Sequence, residues 1–257
     1  LEVIRHNKCR LCNSRLLKEL FSIGNQFIND FVPKHNIGRG RKAPLDLIMC
    51  DNCSLIQLRH TAPQELLYSR YYWYRSGVTD TMRMALKDLA NSVQTIIELD
   101  DKDIILDIGA NDGTLIDNYT NSAVIKVGCE PADNLIKYLQ EKTNYVMHDF
   151  WSKESYNSHA QKWGIGKAKV VTALGMFYDL EEPNKFIGDI AKIMDEGGLF
   201  VAQLMCLGNM LRKNDLGNIC HEHIEYYSLK SLRYLYETNG LEIFKIEEND
   251  VNGGSYR

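Results

Sequence analysis

Residues 106–116 read LDIGANDGTLI: an apolar run closing on Asp107, then Gly109, Asn111, Asp112 and Gly113. Glycine turns sharply and lets a ligand approach the backbone closely before a following helix begins. The spacing is not the dinucleotide pattern GxGxxG, because the alternating third glycine is missing. Outward from this turn the chain alternates. IILDI reads as a strand, NDGTLIDNYT as a turn and helix, AVIKVGCE as a strand and PADNLIKYLQEK as a helix. YVMHDF and KVVTALG read as strands, NKFIGDIAKIM as a helix and LFVAQLM as a strand. LKSLRYLYETNG is then a helix with Gly240 as a left-handed cap, and LEIFKIEE a last strand. Such alternation predicts a parallel sheet covered on both faces, with its ligand at the carboxyl ends of the strands.

Two more strand ends bear on that ligand. Glu130 closes the second strand, where an acid can accept both hydroxyls of a ribose. Asp149 and Phe150 close the third, where a carboxylate and a ring can hold an adenine. Each element alone could merely shape a turn. A glycine turn, an acid and an Asp–aromatic pair on successive strand ends together predict a site for S-adenosylmethionine.

Ahead of this domain Cys9-Arg-Leu-Cys12 is echoed by Cys50-Asp-Asn-Cys53. Two thiolates two residues apart bend onto one ion, and two such pairs close a tetrahedral shell. A module this short buries little core, so a metal replaces missing apolar stabilisation. Four closed ligands leave no open position for catalysis, so the expected zinc is structural. Cys129, Cys206 and Cys220 are not spaced for a second site.

The chain has 257 residues, 44% apolar and 25% charged, with a formal net charge of -4. That composition is globular, and the acidic balance argues against a nucleic-acid partner. GRGRK at 38–42 reads as a solvated loop. No segment reaches the ~18 apolar residues that span a bilayer, so no membrane partner is expected. The opening residues lack the layout of a signal peptide. Together with the paired CxxC motifs this predicts a reducing, cytoplasmic setting. Residues 61–77, TAPQELLYSRYYWYRSG, place four aromatics in a row at 71–74, which cannot all face one core. VTDTMRMALKDLANSVQTIIEL after them has helical apolar spacing.

NICHEHIEYYS at 218–228 crowds a cysteine, two histidines and two glutamates into 220–225. A metal centre, an acid–base centre and a solvated helix end all have this composition. His221 and His223 share a face on a strand but diverge by about 200° on a helix, and no third ligand motif accompanies them. The stretch follows the fifth strand by a long loop, where a substrate cover belongs. Histidine titrates near neutrality and can take a proton from carbon. The acid–base reading leads.

Taken together, CRLC, CDNC, Tyr72-Trp73-Tyr74-Arg75-Ser76, DIGANDG, CEPADN, HEH with its Tyr-Ser pair, and GGSYR resemble the class I methyltransferases. More narrowly they resemble the sugar C-methyltransferases, which act on nucleotide-linked keto-deoxyhexoses. The resemblance implies an α/β, Rossmann-like domain with a mostly parallel seven-stranded sheet whose last strand is cut short, behind a small zinc module. It divides the chain at 1–66, 67–100 and 101–257, with the family's C-terminal domain absent. It implies S-adenosylmethionine contacts at Tyr72, Tyr74, Ser76, Asp107, Gly109, Asn111, Asp112, Gly113, Glu130, Pro131, Asp149, Phe150, Leu174 and Gly175. It implies zinc on Cys9, Cys12, Cys50 and Cys53, and catalytic work by His223, Glu222, Asp179 and Tyr178. His223 would be the base, and Glu222 would orient it or share its proton. The family commonly has tyrosine where Cys220 stands here and a histidine where Asp179 stands. Rival readings are an O- or N-methyltransferase of another small molecule, a zinc-bearing RNA methyltransferase, and a non-catalytic module on the same fold.

Overall fold

A computed structural model describes residues 2–28, 34–63, 67 and 72–257. Tyr71 of the aromatic run lies outside the described residues. Two compact units share the chain: Leu1–Ser69 with Gly175–Lys185 and Leu204–Arg257, and Arg70–Leu174 with Phe186–Gln203.

The second of these contains the parallel sheet. Its strands are β6 (Ile104–Ile108), β7 (Ile125–Cys129), β8 (Tyr145–Met147), β9 (Ala168–Leu174) and most of β10 (Met194–Met205). Every residue of β6 is buried, as expected of a central parallel strand covered on both faces. β6 pairs with β7 on one side and β9 on the other, so strand order reverses there. A reversal of this kind opens a crevice at the carboxyl ends. The helix Asp80–Ile96 starts on Thr79, whose side chain accepts from the Met82 amide. Its apolar face (Leu86, Leu89, Ala90 and Val93) packs into one cluster with Ile105, Leu115, Ile116 and Tyr119.

The other unit is built on antiparallel pairing, with a short ladder of β1 (Ile4–Arg5) and β5 (His60–Thr61) and a larger sheet. β2 (Leu17–Phe27), β3 (Lys42–Cys50) and β4 (Ile56–Leu58) pair in sequence, and β11 (Glu225–Tyr226) joins on the far edge of β4. Here too the last residues of β10, Leu204 and Met205, pair antiparallel with β13 (Ser255–Tyr256), which pairs with β12 (Glu248–Asn249). Hydrogen-bonded neighbours therefore give the seven-strand order β12-β13-β10-β9-β6-β7-β8, the mostly parallel sheet of the expected fold.

Four expectations differ. NDGTLIDNYT contains only a 3₁₀ turn, Ile116–Asn118, because the chain is already extended again at Tyr119 (φ -75, ψ 120). The helix within PADNLIKYLQEK shrinks to Ile136–Gln140. LEIFKIEE is not a strand until Glu248; Phe244 is exposed, and the ladder beside it reaches no further than Glu247, which exchanges backbone bonds with Arg257. The stretch from Cys206 to Ile219, read as loop, contains the helix Leu207–Lys213.

Candidate active site

At the end of β6 the backbone enters the left-handed region three times, at Gly109 (φ 71), Asn111 (φ 53) and Gly113 (φ 75). Gly113 has a second reason to be glycine: an added Cβ would press on Leu139 and Lys142 at 3.1 Å. The Gly109 and Ala110 amides donate to the Cys129 carbonyl at 2.9 and 3.0 Å, lashing the turn to the end of β7. Asp107 is buried and accepts from the Thr172 hydroxyl at 2.6 Å. Burial pushes its carboxyl up to about 7 against the pull of that bond.

Glu130 stands beside the turn, its two carboxylate oxygens accepting from the Asn111 and Ala132 amides, each at 2.9 Å. Burial raises its pKa although both amide bonds oppose the rise. The connector closes over the same turn. The Ser76 amide donates to Asn111 Oδ1 and the Gly77 amide to Asp112 Oδ2, both at 3.0 Å, while Asn111 Nδ2 donates to the Tyr74 carbonyl at 3.1 Å. Burial works against the Asp112 charge. The Thr114 hydroxyl, the Gly77 amide and Lys142 outweigh it and hold the carboxyl below its usual range. Tyr72 is held through its backbone, which exchanges bonds with the Asn134 side chain at 3.0 and 3.1 Å. Arg75 lies 4.0 Å over the Tyr138 ring.

Asp149 accepts from the Phe150 amide and the Ser155 hydroxyl, each at 2.8 Å, and the Phe150 ring is 59% exposed, available to a flat ligand. Pro131 follows Glu130, and Gly175 follows Leu174 with φ 66. Thus Tyr74, Ser76, Asn111, Asp112 and Glu130 converge on one turn, while Tyr72 is tied to Asn134. Asn134, Arg75 and Gly77 are the partners that sequence reading missed. A Cβ on Gly77 would fall 2.6 Å from the Thr114 hydroxyl and 2.7 Å from Asp112, so any other residue there must displace those two groups. A cavity of about 380 Å3 opens beside the turn among Arg75, Arg83, Lys87, Lys142, Asp80 and Asp112. Its lining includes neither Glu130 nor Asp149, so it is not the strand-end rim.

In the other unit, four cysteines carry the metal expectation. Their sulfurs lie within 4.8 Å of one another, with Cys9–Cys53 at 3.5 Å and Cys12–Cys50 at 3.4 Å. A tetrahedron of Zn–S bonds near 2.3 Å has edges of roughly 3.8 Å, so the four sulfurs fit one zinc. Both knuckles share a backbone. Asn13 (φ 57) and Ser54 (φ 65), each just after a second cysteine, are left-handed and donate to the Cys9 and Cys50 carbonyls.

That unit also holds the acid–base candidates. His223 Nδ1 lies 3.0 Å from the Asn218 carbonyl. A carbonyl only accepts, so Nδ1 bears the hydrogen and Nε2 the lone pair. Burial lowers the His223 pKa, favouring the neutral ring, although Asn218 and Glu222 pull the other way. The Tyr178 ring meets it edge-on at 4.6 Å, and the Ile224 amide donates to the Tyr178 carbonyl at 3.0 Å. Asp179 follows Tyr178 in the same 3₁₀ turn. Glu222 has the Cys220 thiol 4.0 Å from one oxygen, and burial pushes that thiol up to about 11. His221 has a different part: it is buried, with Nε2 3.0 Å from the Ala43 carbonyl.

Residues 80–246 match the family model described as a methyltransferase domain. The chain belongs to that family. Residues 9–68 match a second model, a zinc binding domain. The C-methyltransferase NovU of Streptomyces niveus is 25% identical over 251 residues, 97% of this chain and 59% of NovU. The chain thus spans about three fifths of that relative's length. Among solved structures, magnesium protoporphyrin IX methyltransferase (ChlM) from Synechocystis PCC 6803 with bound SAH aligns with TM-score 0.50. The identity is 14%, over 72% of this chain and 90% of that one, a likeness of fold. The methyltransferase domain uses S-adenosylmethionine, and the four-cysteine module binds zinc. Among the described residues no helix is long and apolar enough to cross a membrane.

Proposed function

We propose that this methyltransferase alkylates a carbon beside a ketone on a nucleotide-linked sugar, in the cytoplasm. The observation that carries the reading is the position of His223: Nδ1 lies 3.0 Å from the Asn218 carbonyl, which takes its hydrogen and leaves Nε2 as the basic atom of the neutral ring that burial favours. An oxygen or nitrogen nucleophile has lone pairs of its own, whereas carbon needs a proton removed first. The likeness to a C-methyltransferase points the same way. His223 Nε2 takes the proton from the carbon next to the ketone, and the electron pair moves onto the ketone oxygen as an enolate. Tyr178 and Asp179 hold the substrate oxygens around that proton. S-adenosylmethionine, when bound, supplies an electrophilic methyl on sulfur. Asn111, Asp112, Glu130, Asp149 and Phe150, with Tyr72, Tyr74 and Ser76, orient the cofactor, and zinc on the four cysteines is structural.

The test is solvent deuterium exchange at the carbon flanking the ketone, followed by NMR with candidate nucleotide keto-sugars. Exchange that depends on His223 supports the reading; methylation of a substrate with no adjacent ketone overturns it in favour of O- or N-transfer.

The pH profile has a definite sign. A base must be unprotonated, and the His223 pKa is lowered below its usual 6.5. Activity should therefore stay level through neutrality and fall only on acidification below the ordinary histidine range, read as the acidic limb of kcat/KM. A limb above pH 7 would contradict the assignment.

For the cofactor rim, Glu130→Gln is the informative change. An amide group cannot accept from both the Asn111 and Ala132 amides, since its nitrogen only donates. Losing a charge-assisted bond costs about 1.5–3 kcal/mol. Calorimetry should show S-adenosylmethionine binding weakened by roughly 10- to 100-fold.

A further inference from the structure

We infer that the zinc knuckle is the mount for the acid–base cluster, and that Arg10, inside the first CxxC, is its principal positioning residue, clamping Glu181. This rests on the proposed role of His223 and adds the element that holds it in place.

Arg10 is unusual in being a buried arginine. Its side chain is 2% exposed, and all of its donors face protein. Nη1 donates to the Leu58 carbonyl at 2.6 Å and Nη2 to the Thr61 hydroxyl at 2.7 Å. Nε and Nη2 take the two oxygens of Glu181 at 3.3 and 3.4 Å. The fork matches a carboxylate in a way that a lysine could not. Thr61 also donates to Glu181, and His6 Nε2 lies 3.3 Å from its other oxygen. Glu181 is two residues beyond Asp179, so the clamp seizes the loop that bears Tyr178 and Asp179.

Three further links tie the same two segments to the same module. The Asn184 side chain donates to the carbonyl of Leu11, the other residue inside the knuckle, at 2.5 Å. His221 Nε2 donates to the Ala43 carbonyl of β3 at 3.0 Å. β11, which follows His223, pairs with β4, and the Leu58 amide donates to the Ile224 carbonyl at 2.8 Å. A short chain of bonds therefore runs from Arg10 to Leu58, to Ile224 and to the Tyr178 carbonyl, and the Tyr178 ring rests against His223.

The knuckle holds its shape because one ion gathers both of its thiolates. Arg10 and Leu11 lie between Cys9 and Cys12, so a metal that fixes the knuckle also aims the guanidinium and the Leu11 carbonyl. Coupling of this kind is reciprocal: loosening Glu181 must ease the release of zinc, just as losing zinc must loosen the loop.

The experiment uses the zinc-loaded chain and Glu181→Gln, which keeps the shape but halves the clamp, with Glu181→Ala as the stronger variant. Arg10→Lys is the matching change on the other side. Backbone hydrogen exchange should rise at least 10-fold in 175–185 and 218–227 and stay within twofold at 104–130. Zinc release to a chromogenic chelator should quicken by a similar factor, and S-adenosylmethionine affinity by calorimetry should stay within twofold. Native exchange and native zinc release in all three variants would overturn the inference, and so would loosening spread evenly to 104–130, the mark of general destabilisation. None of these readouts needs a sugar. Should the keto-sugar reading fail, they would still decide this one.

Discussion

His223→Asn should abolish methyl transfer while leaving the chain folded and the cofactor bound. The asparagine amide can still donate to the Asn218 carbonyl, as Nδ1–H does at 3.0 Å. What is lost is the Nε2 lone pair. A positioned general base contributes about 10²–10⁴-fold, or roughly 3–5 kcal/mol of barrier. Proton exchange at the carbon flanking the ketone should fall by the same factor, because the deficit lies in the step before the methyl moves. Affinity for S-adenosylmethionine should not change: all the proposed cofactor residues but Gly175 belong to the other compact unit. Two assays decide it, single-turnover methylation and calorimetry with the cofactor. Unchanged turnover would remove His223 from the mechanism, and lost turnover with lost cofactor affinity would mark a folding defect instead.

Cys53→Ser should empty the metal site and unfold the cysteine module. Native protein should contain one zinc per chain by atomic absorption, the variant close to none. The module cannot make up the loss from its own core. β2 is exposed along almost its whole length, with Leu20, Phe21, Ile23 and Phe27 each about 40% or more exposed. Structural zinc in small modules is worth an apparent 10–16 kcal/mol or so, more than the net stability of most domains. Since β11 pairs with β4, residues 218–227 should lose order with the module, and methyl transfer with them. Melting followed by far-UV circular dichroism should show a smaller unfolding amplitude than that of the native chain. A variant with native zinc content and native melting would mean that three cysteines suffice.

Much of this was legible before any coordinates. The paired CxxC motifs specify a tetrahedral metal site because two knuckles of that spacing can hardly do otherwise, and the four sulfurs do converge. The glycines of DIGANDG mark backbone that only glycine or asparagine adopts readily, and Gly109, Asn111 and Gly113 take positive φ as that predicts. The β6 run is apolar except for Asp107, as a strand buried on both faces largely requires. These are local properties, decided by a few adjacent residues. What joins distant residues was not legible. The sequence put Glu222 beside His223, but the bond that sets the ring comes from the Asn218 carbonyl, a backbone group with no signature in a side-chain pattern. HEH looked like one motif, yet His221 is buried against Ala43, 178 residues away, while His223 turns to Asn218. The Arg10–Glu181 clamp spans 171 residues. LEIFKIEE has the composition of a strand, but strand pairing needs a partner edge, and the ladder there begins only at its end. Conformational preference resides in neighbouring residues, so sequence determined the knuckles, the turn and the run of parallel strands. Hydrogen-bond partners and strand edges are found across the fold, and only the tertiary structure decided them.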